Sequence, residues 1–482
     1  MSDAGGESGS ALSRFKKWFR PGVAPRAIQS QSDLLRTWGR EIDACAREQG
    51  GAIAARTRAA GLIPLYCDMN AVTRVDALNA LAMQLKPAPD AVQAAYAAYQ
   101  QASGSSTEWS AEVQLRTALQ SPRSRVIRLL GSAFGGVRFL VALRAEMFDL
   151  IKTEPPLLVL EAELAAQLAD WFDVGFLELR RIGWESPAHI LEKLMQYEAV
   201  HEIGSWADMK NRLDGDRRIY AFFHPRLRDE PLVFVEVALT ADIAGNVQML
   251  LDQTAPVFDT RRARAAMFYS ISSTQPGLRG ISFGNFLLKR VVEDLKRDFP
   301  RLEHFVTLSP IPGFAAWLRQ QTLPHALREA LATDWRADEK LATEMRAPLM
   351  SLAAHYLRDV KRHGRPADAV ARFHLGNGAR LERLNWLADV SDKGLNQSHG
   401  LMVNYYYDLD DIEGNLEAFD AEGRIAASGR LARLAEVGRR MLEQSQRAAA
   451  RMCGTISALS THQASPQPPA TELANDTSRR QP

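Results

Sequence analysis

The stretch Gly277–Asn285, reading GLRGISFGN, concentrates groups that can hold an anion. Its glycines, Gly277, Gly280 and Gly284, let backbone N–H groups approach a guest closely, and Arg279 adds a fixed positive charge. A strand-like run, AAMFYSISS, precedes the loop, and a helical run follows, with Leu287, Leu288, Val291, Val292 and Leu295 at helical spacing. Helix N-termini carry partial positive charge, so phosphate is the natural guest. The spacing is not GxGxxG, which weakens a dinucleotide reading, and no GK(S/T) follows, which weakens a nucleoside triphosphatase reading. A tight turn leading into a helix also asks for glycine, and that plainer reading stands beside the first. Other motifs say less. His201 in HEIGS lacks the second histidine of HExxH, and YDLDDIEGN lacks the full calcium ladder, which leaves a solvated acidic turn as the better reading.

The loop needs elements to position it. From about Ser32 to Phe172 the pattern is helical, with amphipathic runs such as AVQAAYAAYQQ, VIRLLGSAFGGVRFLVALRAEMFDLI and LVLEAELAAQLADWF. Short polar breaks between them predict a helical bundle with short connections, and Gly135–Gly136 predicts close helix packing or a kink. The texture then changes. RRIYAFFHP, EPLVFVEVALT and AAMFYSISS read as strands, and HFVTLSPIP as a fourth strand stopped by its prolines. DAVARFHLGNGARLERLNWLADVS and GLMVNYYYDLD supply further strand-like runs and a Gly-Asn-Gly turn. The loop therefore belongs to a strand–loop–helix–strand unit within a mixed sheet, and the fold class is α+β.

Composition bounds the function. The chain has 482 residues, 46% hydrophobic and 24% charged, which suits two or more globular domains at roughly 100 to 200 residues each. The 59 basic and 57 acidic residues nearly cancel, so bulk charge does not argue for nucleic acid, and an anionic partner must be held locally. Cys45, Cys67 and Cys453 lie far apart without metal or disulfide spacing; a reducing, cytoplasmic setting is the expectation. No run of about 18 apolar residues predicts a membrane span. The basic start SRFKKWFRPGVAPR reads as a solvated tail, and the Pro-, Gln-, Ser- and Thr-rich end as a disordered one.

The pattern R-G-x-x-x-G after a central strand resembles the pyrophosphate loop of the GNAT acyltransferase superfamily, which holds coenzyme A in this manner. Further motifs in fixed order are more specific: LSPIPGFAAWL, FHLGNGA, NWLADVS and GLMVNYYY, joined upstream by GGVRFLVALRAEM, YEAVHEI, AFFHP and EPLVFVEVALT. Together they resemble the malonyl-CoA decarboxylase family over nearly the whole chain apart from both tails. The resemblance implies residues 29–175 as a helical oligomerisation domain and 176–450 as a GNAT-like mixed-sheet catalytic domain, between tails 1–28 and 451–482. It also implies malonyl-CoA as substrate, acetyl-CoA and carbon dioxide as products, and a homo-oligomer such as a tetramer.

Loss of carbon dioxide from a malonyl thioester leaves an enolate. The thioester is its own electron sink, so no metal or organic cofactor is expected, coenzyme A being part of the substrate. The site needs donors for the oxyanion, a group that fixes the carboxylate, and a general acid near the carbon. By resemblance Ser309 and His374 match the family's catalytic serine and histidine. A nucleophilic hydrolase would use the same pair, but there is no GxSxG elbow, and Pro310 removes the backbone N–H that follows a nucleophilic serine. Ser309 is therefore read as a non-covalent partner of the malonyl carboxylate and His374 as the proton donor. The plainer alternatives are a serine capping the PGFAAWL helix and a core histidine. Ser270 and Tyr407 match positions that line the acyl pocket, although serines and tyrosines are common on half-buried strands. The resemblance implies that Arg279, Gly280, Ile281, Ser282, Phe283, Gly284 and Asn285 form the coenzyme A cradle, with Ser282 standing where the family often carries glutamate. An acyl-CoA-dependent acyltransferase and a non-catalytic coenzyme A sensor are the competing functions.

Overall fold

Leucines at 157, 160, 164 and 168 recur every three or four residues, and all four are buried in the helix Leu157–Trp171. The same logic builds the other helices between Gln31 and Trp171. Ser30 caps the first, accepting from the Asp33 N–H, and the Trp38 indole of that helix donates to the Ala77 carbonyl at 2.8 Å. Trp38, Tyr66 and Phe139 stack edge to face through the middle of the bundle. The run expected as one helix across Gly135 is two, Pro122–Ser132 and Gly136–Leu150, because Gly135 adopts φ 69° and turns the chain between them. The hairpin of Pro89–Ala102 and Glu108–Leu119 buries only Ala102 and Ala111, and leaves Tyr96, Trp109, Val113 and Leu119 exposed.

The computed structural model describes residues 30–281 and 286–461. By its contacts the chain forms two units, the first drawn from Met1–Ala244 and Met249–Thr307, the second from Gly245–Gln248 and Leu308–Pro482. The fold class is the expected one, an N-terminal helical region followed by α+β structure built on a mixed sheet.

In the first unit, β1 (Glu178–Ile182), β2 (Arg217–Phe223), β3 (Val233–Thr240) and β4 (Ala265–Ser273) run antiparallel in that order, and β5 (His304–Thr307) lies parallel to β4. All seven residues of β2 are buried, as a strand covered on both faces requires. The β4-to-β5 connection carries the loop and the helix Phe286–Asp298, whose Leu287, Leu288, Val291, Val292 and Leu295 are buried at the spacing the sequence shows. Ser282, Phe283, Gly284 and Asn285 lie outside the described residues.

In the second unit β6 (Ser309–Pro310) pairs antiparallel with β10 (Met402–Tyr406), which also pairs with β9 (Arg380–Asn385). A short hairpin, β7 (Lys361–Arg362) with β8 (Arg365–Pro366), precedes the helix Ala369–Leu375. Two expectations are corrected here. The run HFVTLSPIP is divided at Leu308 into β5 and β6. The run DAVARFHLGNGARLERLNWLADVS holds the strand β9, but its first part, Ala369–Leu375, is helical, because Asp368 caps it by accepting from the Val370 and Ala371 N–H groups. The helices Glu339–Asp359 and Gly429–Thr461 pack together, and a Cβ at Gly438 would lie 2.2 Å from the Ser351 carbonyl oxygen. The segment Gly245–Gln248 is held in this unit by Val247 N–H donating to Ala388 O at 2.8 Å and the Gln248 amide donating to Asp389 at 2.9 Å.

Candidate active site

Ser309 enters the second unit on β6, opposite Val403 of β10, and its side chain meets His374. Ser309 Oγ lies 3.1 Å from His374 Nε2, and His374 Nδ1 lies 2.8 Å from the Tyr407 hydroxyl. All three residues are at most 6% exposed. The Tyr405 ring stacks on the imidazole at 4.4 Å and 24°. Burial alone pushes the His374 pKa down to about 3, so the ring is neutral near pH 7, with one N–H donor and one acceptor nitrogen. Burial also raises the Tyr407 pKa, which keeps its proton in place. The three groups form one unbroken line of hydrogen bonds without a charge.

Asp368 ties the segment after Ser309 to the helix that carries His374. One of its oxygens caps the helix Ala369–Leu375, which carries His374 in its last turn; the other accepts from the Gly313 N–H at 3.2 Å, in the segment that follows Ser309. Ser309 does not cap the PGFAAWL helix, which spans Phe314–Leu318 with Gly313 at its N-cap. An Asp immediately before a helical run is a readable cap signal, so the capping half of this role was available in the sequence.

The anion loop is placed by the first unit. Pro276–Leu278 forms a 3-10 turn, and a Cβ at Gly277 would lie 1.8 Å from the Val141 carbonyl oxygen, so only glycine fits against the helix Gly136–Leu150. Arg144 of that helix donates to the carbonyls of Gly277 at 2.6 Å and Arg279 at 2.9 Å, and is paired with Glu161 at 2.8 Å. The exposed Arg279 guanidinium lies over the Phe148 ring at 4.5 Å, Gly280 takes φ 81°, and Ile281 is buried. No local pattern marks Arg144, whose carbonyl partners in the loop are more than 130 positions away.

Ser270 lies in the same unit, facing Glu236 across the β3–β4 pair. Its hydroxyl donates to the Glu198 carboxylate, which also accepts from Ser272 and from the N–H groups of Val200 and His201. Next to it Arg212 bridges Asp208 and Glu236. Burial, opposed by Arg212, pushes the Glu236 pKa up to about 7. Among the described residues no group of three or more His, Cys, Asp or Glu is arranged to hold a metal ion, and no helix is long and apolar enough to cross a membrane.

Comparison with known proteins assigns the chain. The family model described as malonyl-CoA decarboxylase C-terminal domain matches residues 175–450, and the one described as N-terminal domain matches residues 85–172. The mitochondrial malonyl-CoA decarboxylase of Mus musculus is 40% identical over 365 residues, covering 68% of this chain and 74% of the mouse protein. The crystal structure of malonyl-CoA decarboxylase from Rhodopseudomonas palustris is 42% identical with a TM-score of 0.77, covering 84% of this chain and 99% of that one. That from Cupriavidus metallidurans is 40% identical with a TM-score of 0.65, covering 84% and 100%. The cytoplasmic setting expected from the cysteines is corrected by the mouse relative and those from Rattus norvegicus and Anser anser anser, all named mitochondrial. Cys45 and Cys67 are both buried and outside any disulfide among the described residues, an arrangement that does not distinguish the cytosol from an organelle interior. With a family model over more than half its length and relatives at this identity, the chain belongs to the malonyl-CoA decarboxylase family.

Proposed function

We propose that the protein decarboxylates malonyl-CoA to acetyl-CoA and carbon dioxide without a covalent enzyme intermediate. The observation that carries this reading is the buried, uncharged line from Ser309 through His374 to Tyr407, in a chain of this family. Ser309 donates to the malonyl carboxylate and holds it out of the thioester plane. The C–C bond then breaks toward the thioester carbonyl, releasing carbon dioxide and leaving an enolate. His374, with its proton on Nε2 and its Nδ1 accepting a hydrogen bond from the Tyr407 hydroxyl, gives the Nε2 proton to the enolate carbon, and a proton taken up from solvent restores the neutral Nε2–H ring for the next turnover. A neutral imidazole suits this task, because a charged ring in so buried a place would be strongly disfavoured. The thioester carbonyl accepts the electrons, so the reaction draws on no metal or organic cofactor.

The segment Arg279–Asn285 is proposed as the cradle of the coenzyme A pyrophosphate. Support comes from the part described: Arg279 is exposed and without a carboxylate partner among the described residues, and Arg144 fixes the backbone beneath it. Ser270 is proposed as a second-row group, since its hydroxyl is committed to Glu198. Residues 29–175 are proposed as the surface of a homo-oligomer, a reading favoured by the exposed Tyr96, Trp109, Val113 and Leu119.

The test is incubation of the purified protein with malonyl-CoA alone, following carbon dioxide and acetyl-CoA. Equal formation of both is expected. Coenzyme A binding with no carbon dioxide released would remove the decarboxylase reading.

A further inference from the structure

A polar cavity in the second unit is lined by no residue given a role above. Its volume is about 190 Å³, and Arg319, Trp335, Arg336, Asn396 and His399 line it. Three separate elements deliver its two guanidinium groups and its imidazole. Arg319 ends the helix Phe314–Leu318, Arg336 lies in the turn that spans residues 332–336, and His399 ends the helix Asp392–Ser398. His399 sits in the left-handed region at φ 54° and ψ 33°, a conformation that a side chain other than glycine, asparagine or aspartate seldom takes. Its ring packs edge-on against Phe314 at 6.4 Å.

The charges around this cavity are poorly balanced. Neither the Arg319 guanidinium nor the His399 ring hydrogen-bonds to another of the described residues. Asp334, 67% exposed, pairs with Arg336 at 3.2 Å. Burial and the two arginines hold the His399 pKa below its ordinary value, as expected where positive groups converge on one space. Cations gathered around a concave polar surface repel one another unless an anion lies between them. A guanidinium fork matches the edge of a tetrahedral oxyanion, and the volume equals that of about six waters, room for one phosphate group and its hydration but not for a nucleoside.

We propose that Arg319, Arg336 and His399 form a binding site for a phosphate-class dianion, with the Asn396 amide as a further donor. The dianion is either free inorganic phosphate or a terminal phosphate monoester such as the 3′-phosphate of coenzyme A. The site stands without the decarboxylase reading; only the coenzyme A source rests on it.

Phosphate binding to the full chain by titration calorimetry is the test. The native protein binds inorganic phosphate saturably, Arg319→Met/Arg336→Met weakens it about tenfold or more, and His399→Asn weakens it less. Asparagine is chosen because it tolerates the left-handed conformation. Arg319→Lys keeps the charge but loses the fork, and gives an intermediate loss that holds even if the double variant fails to fold. Absence of saturable binding in the native protein, or equal binding by Arg319→Lys and His399→Asn, overturns the site. Affinities for coenzyme A and dephospho-coenzyme A then identify the source. If the variants erase a preference for the 3′-phosphate, the monoester occupies the site; if the preference persists while phosphate binding falls, the free anion does. Turnover of malonyl-CoA by the native protein is measured separately, so failure of this site and failure of the decarboxylase reading are distinguishable.

Discussion

The anion loop and the Ser309 cluster are built on opposite principles. Around Gly277–Ile281 the fold supplies full charges: Arg144 is buried and paired with Glu161, and the exposed Arg279 lies over an aromatic face. Around His374 it supplies none, only hydroxyls and a neutral ring, each at most 6% exposed. Holding a multiply charged group calls for fixed charge and backbone donors that need not change state. Passing a proton calls for groups whose protonation can exchange over a short distance, in surroundings that favour no fixed ion. The difference separates binding from chemistry, and mutations in the two regions should separate KM from kcat.

The largest expected effect tests the chemical side. His374→Ala lowers kcat by about 10²- to 10⁴-fold with coenzyme A affinity within about threefold, read from steady-state turnover and a binding titration. Loss of affinity in step with kcat would erase the division. The binding side is broken through Arg144. Arg144→Ala leaves the Gly277 and Arg279 carbonyls and the Glu161 carboxylate unpaired, at a cost of about 2 to 4 kcal/mol of stability. KM rises about tenfold with kcat changed little, and thermal unfolding occurs at a lower temperature. Unchanged KM would show that the loop keeps its shape without the clamp.

A smaller effect sharpens the comparison at Asp368, which touches no reacting atom. Asp368→Ala lowers kcat by about tenfold, through about 1 to 2 kcal/mol of lost capping and the freed Gly313 N–H, while Asp368→Asn keeps the cap and recovers part of the loss. Equal kcat in both variants would assign Asp368 to stability alone. The last test is of stability against pH. The folded His374 pKa of about 3 lies below its ordinary value, so between pH 6.5 and 3 the unfolded chain binds the proton and the folded one does not. Stability from this residue is complete above pH 6.5 and falls with decreasing pH, by up to about 1.4 kcal/mol per pH unit. In His374→Gln the thermal midpoint should depend less steeply on pH over that window; an unchanged slope would show that other groups set it.

Much of the fold was legible because it is written in local spacing. Leu287, Leu288, Val291, Val292 and Leu295 fall at helical intervals and are buried together, and AAMFYSISS is one strand, as its aromatic and β-branched content indicates. The misread run around His374 was equally local: Val370, Phe373 and Leu375 imitate a strand, while the Asp368 cap decides for a helix. The Ser309–His374 juxtaposition was anticipated from a family resemblance, since 65 positions separate the two. Arg144 had no such route. The carbonyls it holds lie more than 130 positions away, and an arginine on a helix gives no sign that it will face a loop carbonyl instead of water.

The segment Gly245–Gln248 has a consequence for how the molecule can be made. Val247 and Gln248 are bonded to Ala388 and Asp389, although the chain returns to the first unit at Met249. A fragment beginning at Leu308 would lack both bonds, so expression of the second unit alone should give an incomplete product unless the excised segment is grafted back. On the ribosome that segment emerges some 140 residues before its partners, and must remain available until they arrive. The smallest inheritable part of this protein is therefore larger than either unit, and recombination at Thr307 would separate a piece from the body to which it belongs.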